Sequence, residues 1–285
     1  MLNSWNECEK LPDRSGSMSE EQVNPLLMRT FSIIIPAYNE ERRIGPVSEE
    51  VSSFVAFNKL PWEIILAVDG KNETEKIVMK YREQYSFIYL SKSPGRTGMD
   101  EAIKRGIMAS NGEIILLIYS EGSASIVDAI RKAELVGTFD IMSFNRYSSP
   151  ENEILLKRRF ASGTFNSILR ALFSVHIFDT QVRVQNLKRS VIMPIMERPD
   201  MSNAFFLSAL FICAKKIGVK DVEIPIQCTH SYESEFNVIM TSISYMVLVT
   251  AFKVGNSSFY VILLNLAKTY TIRSWNISEN KCWIL

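Results

Sequence analysis

Phe31-Ser32-Ile33-Ile34-Ile35-Pro36-Ala37-Tyr38-Asn39-Glu40 decides the fold. Phe31–Pro36 is an apolar, β-branched run stopped by a proline, which reads as a parallel strand buried on both faces. From Glu40 to about Phe57 the chain turns polar, with Ile44, Val47, Val51 and Val55 at helical spacing. Working outward, Trp62–Val68 predicts a second strand ending at Asp69-Gly70, and Thr74–Tyr85 a helix. Phe87–Leu90 predicts a strand, Asp100–Ala109 a helix and Glu113–Ile118 a strand. Val127–Leu135 predicts a helix and Phe139–Phe144 a fifth strand. Such alternation specifies a parallel sheet with helices on both faces. Ligands bind these sheets at the carboxyl ends of the strands. Pro36–Glu40, Asp69–Thr74, Tyr119–Ser123 and Asn145-Arg146 are therefore the segments to watch. Beyond residue 150 the pattern changes to a helix over Ile154–Phe173, basic at its start, and a lone strand at Val222–Ile226.

The 285 residues suit one large α/β domain with appendages, or at most two domains. Hydrophobic residues make up 47% and charged residues 22%, enough for a buried core. A net charge of +1 argues against a nucleic-acid partner, which would favour a basic stripe. The four cysteines form no Cys-x-x-Cys pair and there are two histidines, so a zinc site is disfavoured and reduced thiols are expected. His176 and His230 are isolated and read as structural. Residues 1–29 are polar, carry Glu7, Glu9, Asp13, Glu20 and Glu21, and read as a flexible lead-in rather than a signal peptide. Without a secretion signal the three Asn-x-Ser/Thr triplets carry no weight.

The C-terminal part is apolar. Phe236–Phe252 and Ser257–Ala267 hold no charge and are separated by Lys253-Val254-Gly255-Asn256. Each is shorter than the ~20 residues of a spanning helix. The expectation is two helices in a membrane interface or a shallow hairpin. A pair of core helices or an oligomer interface is the alternative, and true spanning is the weaker reading.

Several segments, in order, resemble family-2 glycosyltransferases, particularly the dolichyl-phosphate mannose and glucose synthase branch. They are Ile35–Glu40, Val68-Asp69-Gly70 with Glu73, and Gly95-Arg96 with Ala102 and Gly106. Ser110-Asn111-Gly112-Glu113, Asn145-Arg146 and Arg158-Arg159 with Ser162 and Asn166 follow. Asp179-Thr180-Gln181 and Glu223-Ile224-Pro225-Ile226 complete the set. The resemblance implies a GT-A type α/β fold, with a mixed, mostly parallel, Rossmann-like sheet flanked by helices and C-terminal apolar helices. It divides the chain into a lead-in (1–29), a GT-A domain (30–235) and a membrane-associated tail (236–285). It further implies transfer of a hexose, with inversion, from a nucleotide-sugar donor to a polyprenyl, dolichyl-type, phosphate. The protein would be peripheral or monotopic at the cytoplasmic face of a membrane, with Mg²⁺ or Mn²⁺ at the donor diphosphate. The departures matter as well. The family's Asp-x-Asp is Tyr119-Ser120-Glu121 here, its Gly-Phe-Lys/Arg is Arg183-Val184-Gln185, and a later Lys is Glu235. The acidic residue expected near Phe206–Leu210 is absent.

On this resemblance Pro36, Tyr38, Glu40, Asp69, Arg96, Ser120 and Gln181 face the nucleotide sugar. Asp69 can accept a hydrogen bond from a base N–H, or can cap the following helix. Glu40 can line the nucleotide while also complementing a helix dipole. Glu121 is the carboxylate available to a metal. A solvated loop glutamate, or metal-free binding with Arg96 and Arg183 neutralising the phosphates, are the other readings. Arg146, Arg158, Arg159 and Asp179 form the catalytic set. A lipid phosphate is ionised at neutral pH and needs guanidinium forks rather than a general base. A sugar hydroxyl needs a carboxylate base, which the expected position lacks. The arginines also read as a solvated or membrane-facing basic face, and Asp179 as a loop Asp bonded to its own backbone. Two further readings stay open: a catalytically silent homologue acting as a binding or assembly partner, and a saccharide-hydroxyl glycosyltransferase with a displaced base.

Overall fold

A computed structural model describes residues 30–69, 73–93, 95, 97–119, 126–133, 139–149, 156–180, 182, 184–197, 206–227 and 249. Strands β1 (Phe31–Ala37), β2 (Glu63–Asp69), β3 (Ile88–Ser93), β4 (Ile114–Ile118) and β5 (Ile141–Asn145) follow the expected alternation. Between them run α1 (Ile44–Phe57), α2 (Glu73–Gln84), α3 (Met99–Ala109) and α4 (Ile126–Ala133). The second half supplies α5 (Leu156–Phe173), β6 (Val184–Lys188), α6 (Arg189–Met196), α7 (Phe206–Lys216) and β7 (Asp221–Pro225). All seven strands join one sheet in the order β3-β2-β1-β4-β6-β5-β7. Neighbours pair in parallel except for β6, which runs antiparallel to both β4 and β5. Val222–Ile226, read from sequence as a lone strand, in fact pairs with β5 from Ile141↔Asp221 to Asn145↔Pro225.

Side chains alternate across the sheet and build two cores. Ile33 and Ile35 face the core under α1, α2 and α4, which includes Val47, Val51, Val78 and Ile130. Ile34 faces the other, with Ile103 and Ile107 of α3, Phe165 and Leu169 of α5, and residues of α6 and α7. Two glycines permit this packing. A Cβ on Gly106 would lie 2.6 Å from Ile34 Cγ2, and one on Gly112 would lie 2.6 Å from the Phe31 carbonyl carbon and the Ser32 nitrogen. The strand starts are stapled by Glu63, which accepts hydrogen bonds from Ser32 Oγ (2.6 Å), Asn111 N (2.5 Å) and Gly112 N (3.3 Å). Burial pushes the Glu63 carboxyl up, but these bonds and one from the Asn111 side chain outweigh it and hold it below its ordinary value.

The expected C-terminal apolar helices are corrected. The fold's described elements end at β7, and among the described residues no helix is long and apolar enough to cross a membrane. Val249, within the apolar stretch, is fully buried in the second core, so apolar character at that position serves the protein's own interior. The rest of 236–285, like the lead-in 1–29, lies outside the described residues.

Candidate functional site

With β6 alone reversed, the carboxyl ends of the other six strands share one edge, and β6 begins there. The edge thus gathers the Tyr38–Glu40 turn after β1, Asp69, Tyr119, Asn145-Arg146 and the Asp179–Val182 approach to β6. This topology is why residues far apart in sequence converge.

Pro36 is buried within β1. Asn39 takes a φ of 52°, a left-handed conformation Asn tolerates, and this turns the chain toward α1. Tyr38 is half-buried beside it. Glu40 is 4% exposed; its N–H donates to Thr74 Oγ1 (3.0 Å) and its carbonyl accepts from Arg43 and Ile44. That turn delays α1 to Ile44, four residues beyond the expected start.

Asp69 is fully buried and its carboxylate is heavily committed. It accepts from Thr97 N (2.8 Å), Thr97 Oγ1 (2.9 Å) and Gly98 N (2.8 Å), and pairs with Arg105 Nη2 at 2.6 Å. Asp69 therefore caps α3 from the neighbouring strand rather than capping α2, the helix that follows it. Gly98 holds φ 97°, ψ 159°, a conformation essentially reserved for glycine, which lets consecutive amides reach one carboxylate. Arg105 also donates to Thr97 Oγ1 (2.7 Å). Sequence reasoning missed Arg105, although its seven-residue offset from Gly98 puts both on one face of α3.

The second constellation sits at the end of β5. Arg146 forks onto Asp179 through Nε (2.8 Å) and Nη2 (3.1 Å), and Asp179 is fully buried. Asp179 is held by its neighbours' side chains, not by its own backbone. Its N–H and that of Phe178 donate to Glu223 Oε1, at 2.7 and 3.0 Å. Thr180 is anchored by Asn166 Oδ1 (2.7 Å) of α5 and Ser208 Oγ (3.1 Å) of α7. Burial pushes the Glu223 carboxyl above its ordinary value, outweighing those two amide bonds and one from the Asn145 side chain.

Beside this knot opens a cleft of about 970 Å³. Residues 159, 160, 163, 164, 167, 168, 170 and 171 line it from α5, a spacing that selects one helical face. Arg159 and Arg170 supply its positive charge. Phe160, 78% exposed, and Phe178, 58% exposed, supply exposed aromatic surface. The Arg170 guanidinium lies 4.4 Å from the Phe178 ring centroid, a cation–π contact. Asn145, Tyr147, Ser148 and Glu223 close the opposite wall.

The structure thus brings Arg146, Asp179 and Arg159 to one region and Tyr38, Glu40 and Asp69 to the other end of the same edge. Arg96, Ser120, Glu121, Gln181 and Arg183 lie outside the described residues, as does the Arg158 side chain on α5. Among the described residues no cluster of three metal-ligating side chains exists, and Asp69 and Asp179 are both taken by guanidinium groups. These described carboxylates do not compose a cation site.

Known proteins resemble this chain in sequence and in fold. Residues 32–119 match the family model of glycosyl transferase family 2. A dolichyl-phosphate beta-glucosyltransferase of Trichomonas vaginalis is 26% identical over 270 residues, spanning 88% of this chain and 76% of that protein. One of Dictyostelium discoideum is 25% identical over 240 residues, spanning 78% of this chain and 73% of that protein. Among solved structures, glucosyl-3-phosphoglycerate synthase from Mycobacterium tuberculosis, in complex with Mn²⁺, uridine diphosphate and phosphoglyceric acid, superposes with a TM-score of 0.57 at 17% identity. It covers 77% of this chain and 76% of that one. The chain has a GT-A type fold, its residues 32–119 match glycosyl transferase family 2, and it is similar in sequence to dolichyl-phosphate beta-glucosyltransferases.

Proposed function

We propose that the chain transfers a hexose from a nucleotide sugar to a phosphate-bearing acceptor, and that this acceptor is a polyprenyl, dolichyl-type, phosphate. The observation carrying this reading is the cleft beside Arg146–Asp179, which combines two arginines with exposed phenylalanines. A phosphate monoester seeks guanidinium groups and an isoprenoid chain seeks apolar surface. The related solved synthase was crystallised with a nucleoside diphosphate and a phosphorylated acid, and the sequence relatives are named for transfer to dolichyl phosphate.

In this reading the donor nucleotide lies at the strand ends that carry Tyr38, Glu40 and the buried Asp69–Arg105 pair, while Arg159 and Arg170 draw the acceptor phosphate into the cleft. Arg146 and Asp179 hold the junction between the two halves. An ionised phosphate oxygen attacks the anomeric carbon while the carbon–oxygen bond to the nucleoside diphosphate breaks. No general base is required, and the site's contribution is charge neutralisation and alignment. Glu121 would bring Mg²⁺ or Mn²⁺ to the departing diphosphate. Its loop lies outside the described residues. A lipid acceptor brings the chain to a membrane surface, on its cytoplasmic face.

A second reading has one observation in its favour. Glu223 lines the cleft and its carboxyl is raised by burial, as a general base for a saccharide hydroxyl would be. The deciding experiment offers the full chain labelled nucleotide hexoses with a polyprenyl phosphate, phosphoglyceric acid or a simple saccharide, each with Mg²⁺, Mn²⁺ or chelator. The proposal expects metal-dependent label in the lipid phosphate that Glu121→Ala abolishes. Label in the saccharide alone would establish the second reading. No donor binding under any condition would leave a silent scaffold.

A further inference from the structure

One oxygen reaches both walls of the cleft. Glu223 stands in the middle of β7, and its Oε1 accepts the N–H groups of Phe178 and Asp179. Those adjacent residues serve different arginines. The Phe178 ring packs against the Arg170 guanidinium of α5, and the Asp179 carboxylate forks Arg146 after β5. Asn145, the residue before Arg146, hydrogen-bonds Glu223 through its side chain. A shift of the Phe178–Asp179 backbone would therefore move both guanidinium contacts together.

We propose that Glu223 is a positioning residue, a carboxylate strut that sets the separation of Arg146 and Arg170 across the cleft. What those arginines hold rests on the acceptor reading above; the strut itself does not. The alternative assignment, a proton-accepting base, makes an opposite prediction. Glutamine keeps an Oε1 that accepts both amides but cannot take a proton at neutral pH, whereas alanine removes the strut.

The test uses the full chain with Glu223→Gln, Glu223→Ala and Glu223→Asp, the last keeping a carboxylate that is too short to reach. The first readout needs no ligand. In nitrogen-resolved NMR the Arg146 Nε–H, identified by its loss in Arg146→Lys, exchanges slowly in the parent and in Glu223→Gln. It exchanges about 10-fold faster or more in Glu223→Ala and Glu223→Asp, as expected for loosening a charge-assisted bond. The second readout is kinetic, with citronellyl phosphate as acceptor. Glu223→Ala and Glu223→Asp raise the acceptor KM about 10-fold with the donor KM unchanged, and Glu223→Gln restores it. Unchanged Arg146 Nε–H exchange in Glu223→Ala overturns the strut. Loss of kcat in Glu223→Gln equal to that in Glu223→Ala overturns it in favour of the base. If the parent does not use citronellyl phosphate, the acceptor reading fails while the exchange experiment still decides the strut.

Discussion

Replacing Arg146 by methionine keeps most of the aliphatic stem and removes the guanidinium. Asp179, fully buried, then loses bonds of 2.8 and 3.1 Å and the only cation paired with it among the described residues. Breaking a buried pair by deleting one partner costs about 3–5 kcal/mol, because the other charge stays behind. Arg146 is 18% exposed, so water can partly replace it and the lower end, about 3 kcal/mol, is expected. In a domain of this size that lowers the melting temperature by roughly 6–12 °C. Asp179→Asn removes the other charge, and in Arg146→Met with Asp179→Asn neither remains buried. The double variant should therefore cost at least about 1 kcal/mol less than the sum of the single ones. Thermal and urea unfolding of the four proteins supply the cycle. A cost below about 1 kcal/mol for Arg146→Met, or strict additivity, would refute the idea that this pair is the buried electrostatic joint of the site.

The edge opposite the site offers a pH test at Glu63. Its folded pKa lies below the ordinary 4.5, so its stabilisation is present above that value and is lost as pH falls through the lowered folded value. Glu63→Gln should be less stable than the parent at pH 7, with the deficit shrinking as the medium is acidified below the ordinary value; a deficit that grows in acid would reverse the assignment. The glycines give a ranking. In Gly112→Ala the new Cβ meets backbone, which cannot rotate away, and should cost about 3 kcal/mol or more. In Gly106→Ala it meets one methyl of Ile34, and better helix propensity returns about 1 kcal/mol. Urea denaturation showing Gly106→Ala as the more damaging change would contradict the packing described.

How much of this was legible in the sequence follows from which signals are local. β1, β2 and β4 are apolar runs flanked by helical periodicity, and each lies within two residues of its expected place at both ends. β6 reads Val-Gln-Asn-Leu-Lys, and buried Gln185 and Asn186 erase the apolar run that marks an internal strand. Its antiparallel insertion, which brings Asp179 to the site, is therefore invisible until the sheet is assembled. Asp69 was recognisable from its strand-end position, but its three partners were not, because Thr97, Gly98 and Arg105 lie beyond β3 and reach it only once β3 pairs beside β2. Glu223 was visible as part of a motif. Its function as a clamp on two amides depends on β7 lying beside β5, a contact 80 residues apart in register. Of the apolar C-terminal stretch Val249 alone is described, and it lies in the protein interior, an environment that hydrophobicity by itself does not distinguish from a lipid.

The proposed seat of the acceptor phosphate is the cleft along α5. The most direct measurement is the steady-state KM for a polyprenyl phosphate in Arg159→Gln and Arg170→Gln, beside the KM for the nucleotide sugar. A lost charge-assisted bond is worth about 1.5–3 kcal/mol, so each variant should raise the acceptor KM about 10- to 100-fold and leave the donor KM within about 2-fold. An unchanged acceptor KM in both, or a loss confined to the donor, would contradict it.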